Sequence, residues 1–139
     1  MVIVDTGVFI AAALTGDRHH KACAEFLRNP GDVLGVSALI VAEVSHLLQR
    51  APRQPRPEVA FLQRLADGSA VPLSPSVPDY SRMAELVEQY GDLPLGAADA
   101  SVVALAERLG VTRIATVDRR DFAVVRPRHV AAFELVPEL

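Results

Sequence analysis

Short β-branched runs separated by stretches of helical period set the pattern of this chain. Val2 to Val4 is apolar throughout and too short for a helix, which predicts a buried strand ending at Asp5. A helical pattern runs from Gly7 to Leu14 and another from His19 to Arg28, with Asp17 placed to cap the second and Asn29-Pro30-Gly31 to stop it. Val33 to Val36 predicts a strand, and Ser37 a cap for a helix from Leu39 to Arg50. The proline-studded APRQPRP reads as a connector, followed by helix from Glu58 to Ala66, a short strand near Val71 and helix from Pro78 to Tyr90. GDLP interrupts before a helix from Gly96 to Leu109, with Gly110 as its stop. Arg113 to Val117 predicts a strand running into Asp118, and Phe133 to Val136 one more at an edge. Strands alternating with helical crossovers predict a three-layer α/β/α sandwich around a mostly parallel sheet.

Composition narrows the picture. With 139 residues, half of them apolar, residues 1–139 are expected to form one domain. A net charge of -3 excludes a polycation that grips nucleic acid by charge alone, yet 13 of the 14 basic residues are arginine, so any nucleic-acid contact must be local. The single cysteine, Cys23, cannot form an internal disulfide and is expected to pack as a small apolar side chain. No Cys/His cluster has zinc-ligand spacing. No signal-type N-terminus or membrane-length apolar run is present, which predicts a soluble cytoplasmic protein without membrane partners. His20 and His46 read as structural helix residues, and His19 and His129 as exposed. Two tyrosines and no tryptophan leave little for a base-stacking platform.

Four acids stand out. Ligands of an open parallel sheet sit beyond the carboxyl ends of its strands, where Asp5 and Asp118 are expected. Either alone would suit an ordinary turn cap. At about 100° per residue, Glu43 falls between Leu39 and Leu47 and beside Ile40 and Val44, while Asp99 shares a stripe with Val102, Val103 and Ala106, and Ser101 lies on another face. Both acids are thus predicted to point inward. An unpaired buried carboxylate costs several kcal/mol. Either an arginine such as Arg82 or Arg113 arrives as partner, or Asp5, Glu43, Asp99 and Asp118 converge and need a cation. Oxygen donors without His or Cys suit a hard ion, Mg²⁺ or Mn²⁺. The Asp5-Thr6-Gly7 tripeptide also matches an aspartic protease, but those enzymes are all-β, so that alternative survives only as a homodimer of half-sites.

Taken in order, IVDTGVFIA, VSALIVAEVSHLL, DLPLGAADASVVALAERLG and IATVDRRDF resemble the PIN-domain nucleases, and among them the VapC-type toxins of bacterial toxin–antitoxin pairs, across nearly the whole chain. The resemblance implies a Mg²⁺-dependent endoribonuclease, with Mn²⁺ as a substitute, whose catalytic metal site is Asp5, Glu43, Asp99 and Asp118. Asp5 and Asp99 would be principal ligands, Asp118 would hold the same or a second ion, and Glu43 would orient the attacking water. Thr6 and Thr116 would be supporting hydroxyls, and Asp92 and Asp121 supporting acids or surface caps. Gly7 stands where serine is commoner. A homodimer and a VapB-type antitoxin whose tail blocks the acidic hollow are also implied.

RNA phosphates would have to be met from the rim by arginine. Residues 111 to 131 carry Arg113, Arg119, Arg120, Arg126 and Arg128 against Asp118 and Asp121; residues 50 to 64 carry Arg50, Arg53, Arg56 and Arg64 against Glu58. Arg119 and Arg120, directly after Asp118, are expected nearest the RNA. A non-catalytic PIN-like module that binds RNA or protein is the main alternative.

Overall fold

The computed structural model describes residues 1–51 and 56–139. In chain order the elements are β1 (Val2–Val4), α1 (Thr6–Ala13), α2 (His20–Arg28), β2 (Leu34–Ser37), α3 (Ala38–Leu48), α4 (Pro57–Ala66), β3 (Val71–Leu73), α5 (Val77–Gln89), α6 (Ala97–Leu109), β4 (Arg113–Ala115), α7 (Arg119–Val124) and β5 (Glu134–Val136). The expected elements are all present, with ends shifted by a residue or two. Four residues of the APRQPRP connector, including Arg53, lie outside the described residues.

The five strands form one sheet in the order β3-β2-β1-β4-β5, and every pairing is parallel. The three-layer α/β/α expectation holds. Val2, Ile3 and Val4 have no exposed surface, as a central strand covered on both faces requires. Pro72, which cannot donate to a ladder, sits in the edge strand β3. From β1 the chain steps outward through β2 to β3, then returns to the other side of β1 for β4 and β5. The strand order therefore reverses between β1 and β4, and in such sheets a crevice opens there at the carboxyl ends.

Caps explain most helix ends. Asp5 begins α1 by accepting the Thr6 N–H, Ser37 begins α3 by accepting the Leu39 N–H, and Ser76 and Asp79 form a reciprocal capping box on α5. Gly110 ends α6 at φ 68°, a left-handed conformation open to glycine. Asp17 is one step removed from its expected role: His19 occupies the N-cap of α2, and Asp17 accepts the His19 N–H. The helix α7, with Asp118 at its N-cap, has no counterpart in the sequence pattern. Six residues with one buried side chain, Phe122, offer no periodicity to read. Because α1 carries Asp5 at its cap and is followed by further α/β units, the Asp-Thr-Gly tripeptide is a strand-to-helix junction and not a loop of an all-β protease.

Candidate active site

Asp5 is only 6 % exposed and both of its oxygens are held. Oδ1 accepts the Thr6 N–H at 2.8 Å, and Oδ2 accepts the Thr116 hydroxyl at 2.9 Å. Thr116 lies just past β4, so this bond ties the ends of the two strands flanking the reversal of strand order. The same Thr116 oxygen accepts the Asp118 N–H at 3.1 Å, which fixes the turn that presents Asp118. Burial pushes the Asp5 pKa up; the bonds from Thr116 and Thr6 oppose this, and the charges of Glu43 and Asp118 add to it.

Asp99 sits in the first turn of α6. Its pKa is pushed up to about 7, by burial first and then by the charges of Asp5, Asp121 and Glu43, against one hydrogen bond from the Gly96 N–H. Asp121, in the first turn of α7, is raised by burial and by Asp118, with Arg120 opposing. Asp5, Glu43, Asp99, Asp118 and Asp121, from four separate stretches of chain, thus act on one another around the crevice. The ion pairs found among the described residues engage Asp32, Glu58, Glu85, Glu107, Asp79 and Glu134, and none of these five acids.

Several sequence expectations change. Glu43 is exposed, because the buried stripe of α3 is Ile40, Val44 and Leu48, and the Leu39–Glu43–Leu47 edge opens to solvent. Glu43 therefore stands at the rim of the crevice. Ser101, expected off the buried stripe, is fully buried, since α6 packs against α5, α3 and the sheet. Neither Arg82 nor Arg113 reaches the acids. Arg82 pairs with Glu107 at 2.7 Å, and Arg113, at the amino end of β4, faces Glu134 at 3.5 Å. Arg119 turns toward the C-terminal strand, donating to the carbonyl oxygens of Leu135 and Pro137, whereas Arg120 is exposed. Asp92 lies exposed in the turn before α6, outside the interacting set. His20 bonds the Ala11 carbonyl oxygen at 2.9 Å as a structural histidine. His19 and His129 are half-buried rather than exposed; His129 lies 2.6 Å from the Val111 carbonyl oxygen and meets Phe133 edge-on. Cys23 is a fully buried core residue.

Gly7 has a local reason. A side chain there would collide with Cγ2 of Val117, so the glycine and the valine are matched in size. The Thr6 hydroxyl, beside Asp5, is buried without a hydrogen-bond partner, an arrangement that costs free energy unless a ligand or water completes it. A cation fits this donor set by chemistry: the groups are all hard oxygens, none forms an ion pair among the described residues, and burial together with mutual repulsion pushes the Asp99 pKa up to about 7. Among the described residues, no three His, Cys, Asp or Glu side chains already stand closed around one point.

Comparison with known proteins agrees with this fold. Residues 2–126 match the PIN domain family. The chain is 32% identical over 136 residues to Ribonuclease VapC26 of Mycobacterium tuberculosis, spanning 98% of this chain and 100% of that protein. Among solved structures it resembles M. tuberculosis VapC20, described as a sarcin-ricin loop cleaving toxin, with a TM-score of 0.74 at 18% identity over 82% of this chain and 87% of that one. It also resembles FitAcB from Neisseria gonorrhoeae, with a TM-score of 0.56 at 19% identity over 85% and 88% of the two chains. With the acidic crevice at the reversal of strand order and a full-length relative among the VapC ribonucleases, the chain belongs to the PIN-domain family, in its VapC-related branch.

Proposed function

We propose that the chain is a divalent-metal-dependent endoribonuclease, the toxin of a toxin–antitoxin pair acting in the cytoplasm, and that Asp5, Glu43, Asp99 and Asp118 are its catalytic carboxylates. The observation that carries this is the grouping of acids at the sheet's crevice, with Asp99 pushed up to about 7 and, among the described residues, no ion pair to any of them. A fold has no structural use for such crowding, which opposes folding. Asp5 and Asp99 are the groups best placed to hold Mg²⁺ or Mn²⁺, with Asp118 completing the set and Asp121 beside it. The bound ion would supply charge neutralisation at the scissile phosphate and at the leaving oxygen.

The remaining work belongs to the chain. Thr116 and the Thr6 N–H hold both oxygens of Asp5, so its outward lone pairs face the crevice in one orientation, with little rotamer entropy left to lose on binding. Glu43, on the open side, is the group that a water arriving from solvent meets first, and it orients that water for in-line attack. Arg120, exposed beside Asp121, meets an RNA phosphate from the rim; Arg119 does not, because its guanidinium is already engaged by backbone carbonyls. The proposal includes a homodimer and a VapB-type antitoxin covering the crevice; kinship with VapC proteins supports an antitoxin partner.

Incubation of the purified protein with total RNA, with and without Mg²⁺, alongside Asp99→Asn, tests the proposal. A discrete Mg²⁺-dependent fragment that disappears in the variant is expected. RNA retention without cleavage in either Mg²⁺ or Mn²⁺ would replace it with the binding-module alternative, and cleavage insensitive to EDTA would remove the metal.

A further inference from the structure

One buried polar connection joins the two helices that carry Glu43 and Asp99. Ser37 and Ser101 are both fully buried, and their hydroxyl oxygens lie 2.6 Å apart. Ser101 Oγ also lies 2.6 Å from the carbonyl oxygen of Ala98. A carbonyl can only accept, so the single Ser101 proton goes there. The bond between the serines must then be donated by Ser37, whose oxygen accepts the Leu39 N–H at 3.2 Å. Proton order is thereby fixed along the whole chain: Leu39 N–H to Ser37, Ser37 to Ser101, Ser101 to Ala98. Hydrogen bonds aligned in one direction in a dry interior polarise and stiffen one another.

Both ends of this chain are well sited. Leu39 is in the first turn of α3, the helix that presents Glu43, and Ala98 immediately precedes Asp99 in the first turn of α6. The two helices pack directly on each other. Apolar contact alone is non-directional and leaves such a pair free to slide. Alanine at 101 would fill the same space without a polar group and favour the helix more than serine does, whereas alanine at 37 would also remove the cap of α3. The hydroxyls therefore contribute direction and not burial.

We propose that Ser37 and Ser101 are positioning residues, whose one-way hydrogen-bond chain clamps the start of α3 to the first turn of α6 and so keeps the helix of Glu43 in register with Asp99 across the crevice where a divalent cation would bind. The clamp rests on the metal-dependent nuclease proposed above, and it predicts loss of metal affinity in variants that remain folded.

Titration calorimetry of Mn²⁺ alone into the purified full chain, well below the Tm of each variant, reads this directly. Ser101→Ala should weaken Mn²⁺ affinity about 10-fold, in the range found when groups that orient metal ligands are removed. Ser37→Thr, which keeps both the cap oxygen and the donor, should stay within about twofold of the parent. Ser37→Ala combined with Ser101→Ala should bind no more weakly than Ser37→Ala alone, because one connection is lost in both. RNA cleavage by Ser101→Ala should recover at saturating Mn²⁺. Parent-like Mn²⁺ affinity in folded Ser101→Ala, with only a lower Tm, would overturn the clamp and leave the serines as core filling. If Ser101→Ala does not fold, Ser101→Cys decides, since parent-like affinity with the weak thiol donor overturns the clamp equally. A parent that neither binds Mn²⁺ nor cleaves RNA would overturn the nuclease assignment, and the clamp with it.

Discussion

Two groups of charged residues, built from the same side-chain types, behave oppositely in this molecule. On the α5–α6 side, Arg82 pairs with Glu107 and Glu85, Arg108 with Asp79 and Arg128 with Glu85. Burial opposes ionisation of Asp79 and Glu107, yet the hydrogen bonds from Ser76 and Arg108, and from Arg82 and the Arg128 N–H, outweigh it and hold both carboxyls below their usual range. At the crevice no ion pair forms among the described residues, and burial and mutual repulsion push Asp5, Asp99 and Asp121 upward, with Arg120 opposing only at Asp121. The first group spends its charges on joining helices. The second leaves its acids without ion-pair partners, as the proposed cation site would require.

The sharpest separation of the two regions is by activity. Asp99→Asn should lower RNA cleavage at least ~100-fold, the scale on which removal of a transition-state-stabilising group acts, while its Tm equals or exceeds that of the parent without metal. A gel-based cleavage assay and a thermal melt on the same preparation check both halves. Unaltered cleavage would break the contrast at its functional end.

Next in size is the paired region. Arg82 and Glu107 side chains are 13% and 10% exposed, so Arg82→Ala strands a largely buried carboxylate and should destabilise the fold by about 2–3 kcal/mol, with cleavage per folded molecule unchanged. Urea denaturation measures the first and active-site titration the second.

The pH dependence of stability should differ in sign between the regions. Asp99 has a folded pKa of about 7 against an unfolded value near ~3.9, so the folded state binds more protons between these values. Stability without metal should therefore fall as pH rises from about 4 to 7, by roughly 1–2 kcal/mol at a site partly screened by solvent. Asp79 and Glu107 are depressed, so their contribution is present above the unfolded carboxyl values and is lost as pH falls below them. Urea midpoints across pH should pass through a maximum near pH ~5. Asp99→Asn should flatten the upper limb and saturating Mg²⁺ should abolish it; an upper limb that persists in the variant would show that Asp99 is not its source. The smallest effect is expected from Arg128→Ala, whose pair with Glu85 has both side chains more than half exposed and is worth under about 1 kcal/mol.

The alternation of Val2–Val4, Leu34–Ser37 and Arg113–Ala115 with amphipathic stretches made the parallel sheet readable, because a strand buried on both faces must be apolar throughout. Asp5 and Asp118 were readable as strand-end acids for the same reason. Asp99 was found by its place on a stripe, but the same rule misplaced Glu43, since the width of a buried face depends on what packs there. Arg119 was expected near the RNA because it follows Asp118 directly, and it is held by carbonyls sixteen and eighteen residues away. Ser101 had only a faint signal, one hydroxyl among alanines and valines, with its partner Ser37 sixty-four residues distant.

By itself the sequence determined the elements, their parallel arrangement and the identity of the acids, because these depend on local periodicity and on which residues end a strand. Tertiary structure alone decided which charges meet. It sent the arginines of α5 and β4 to other carboxylates, left five acids around one crevice and joined α3 to α6 through two serines. Electrostatic and hydrogen-bond energies depend on distance in space and on desolvation, and neither is encoded in the spacing of residues along the chain.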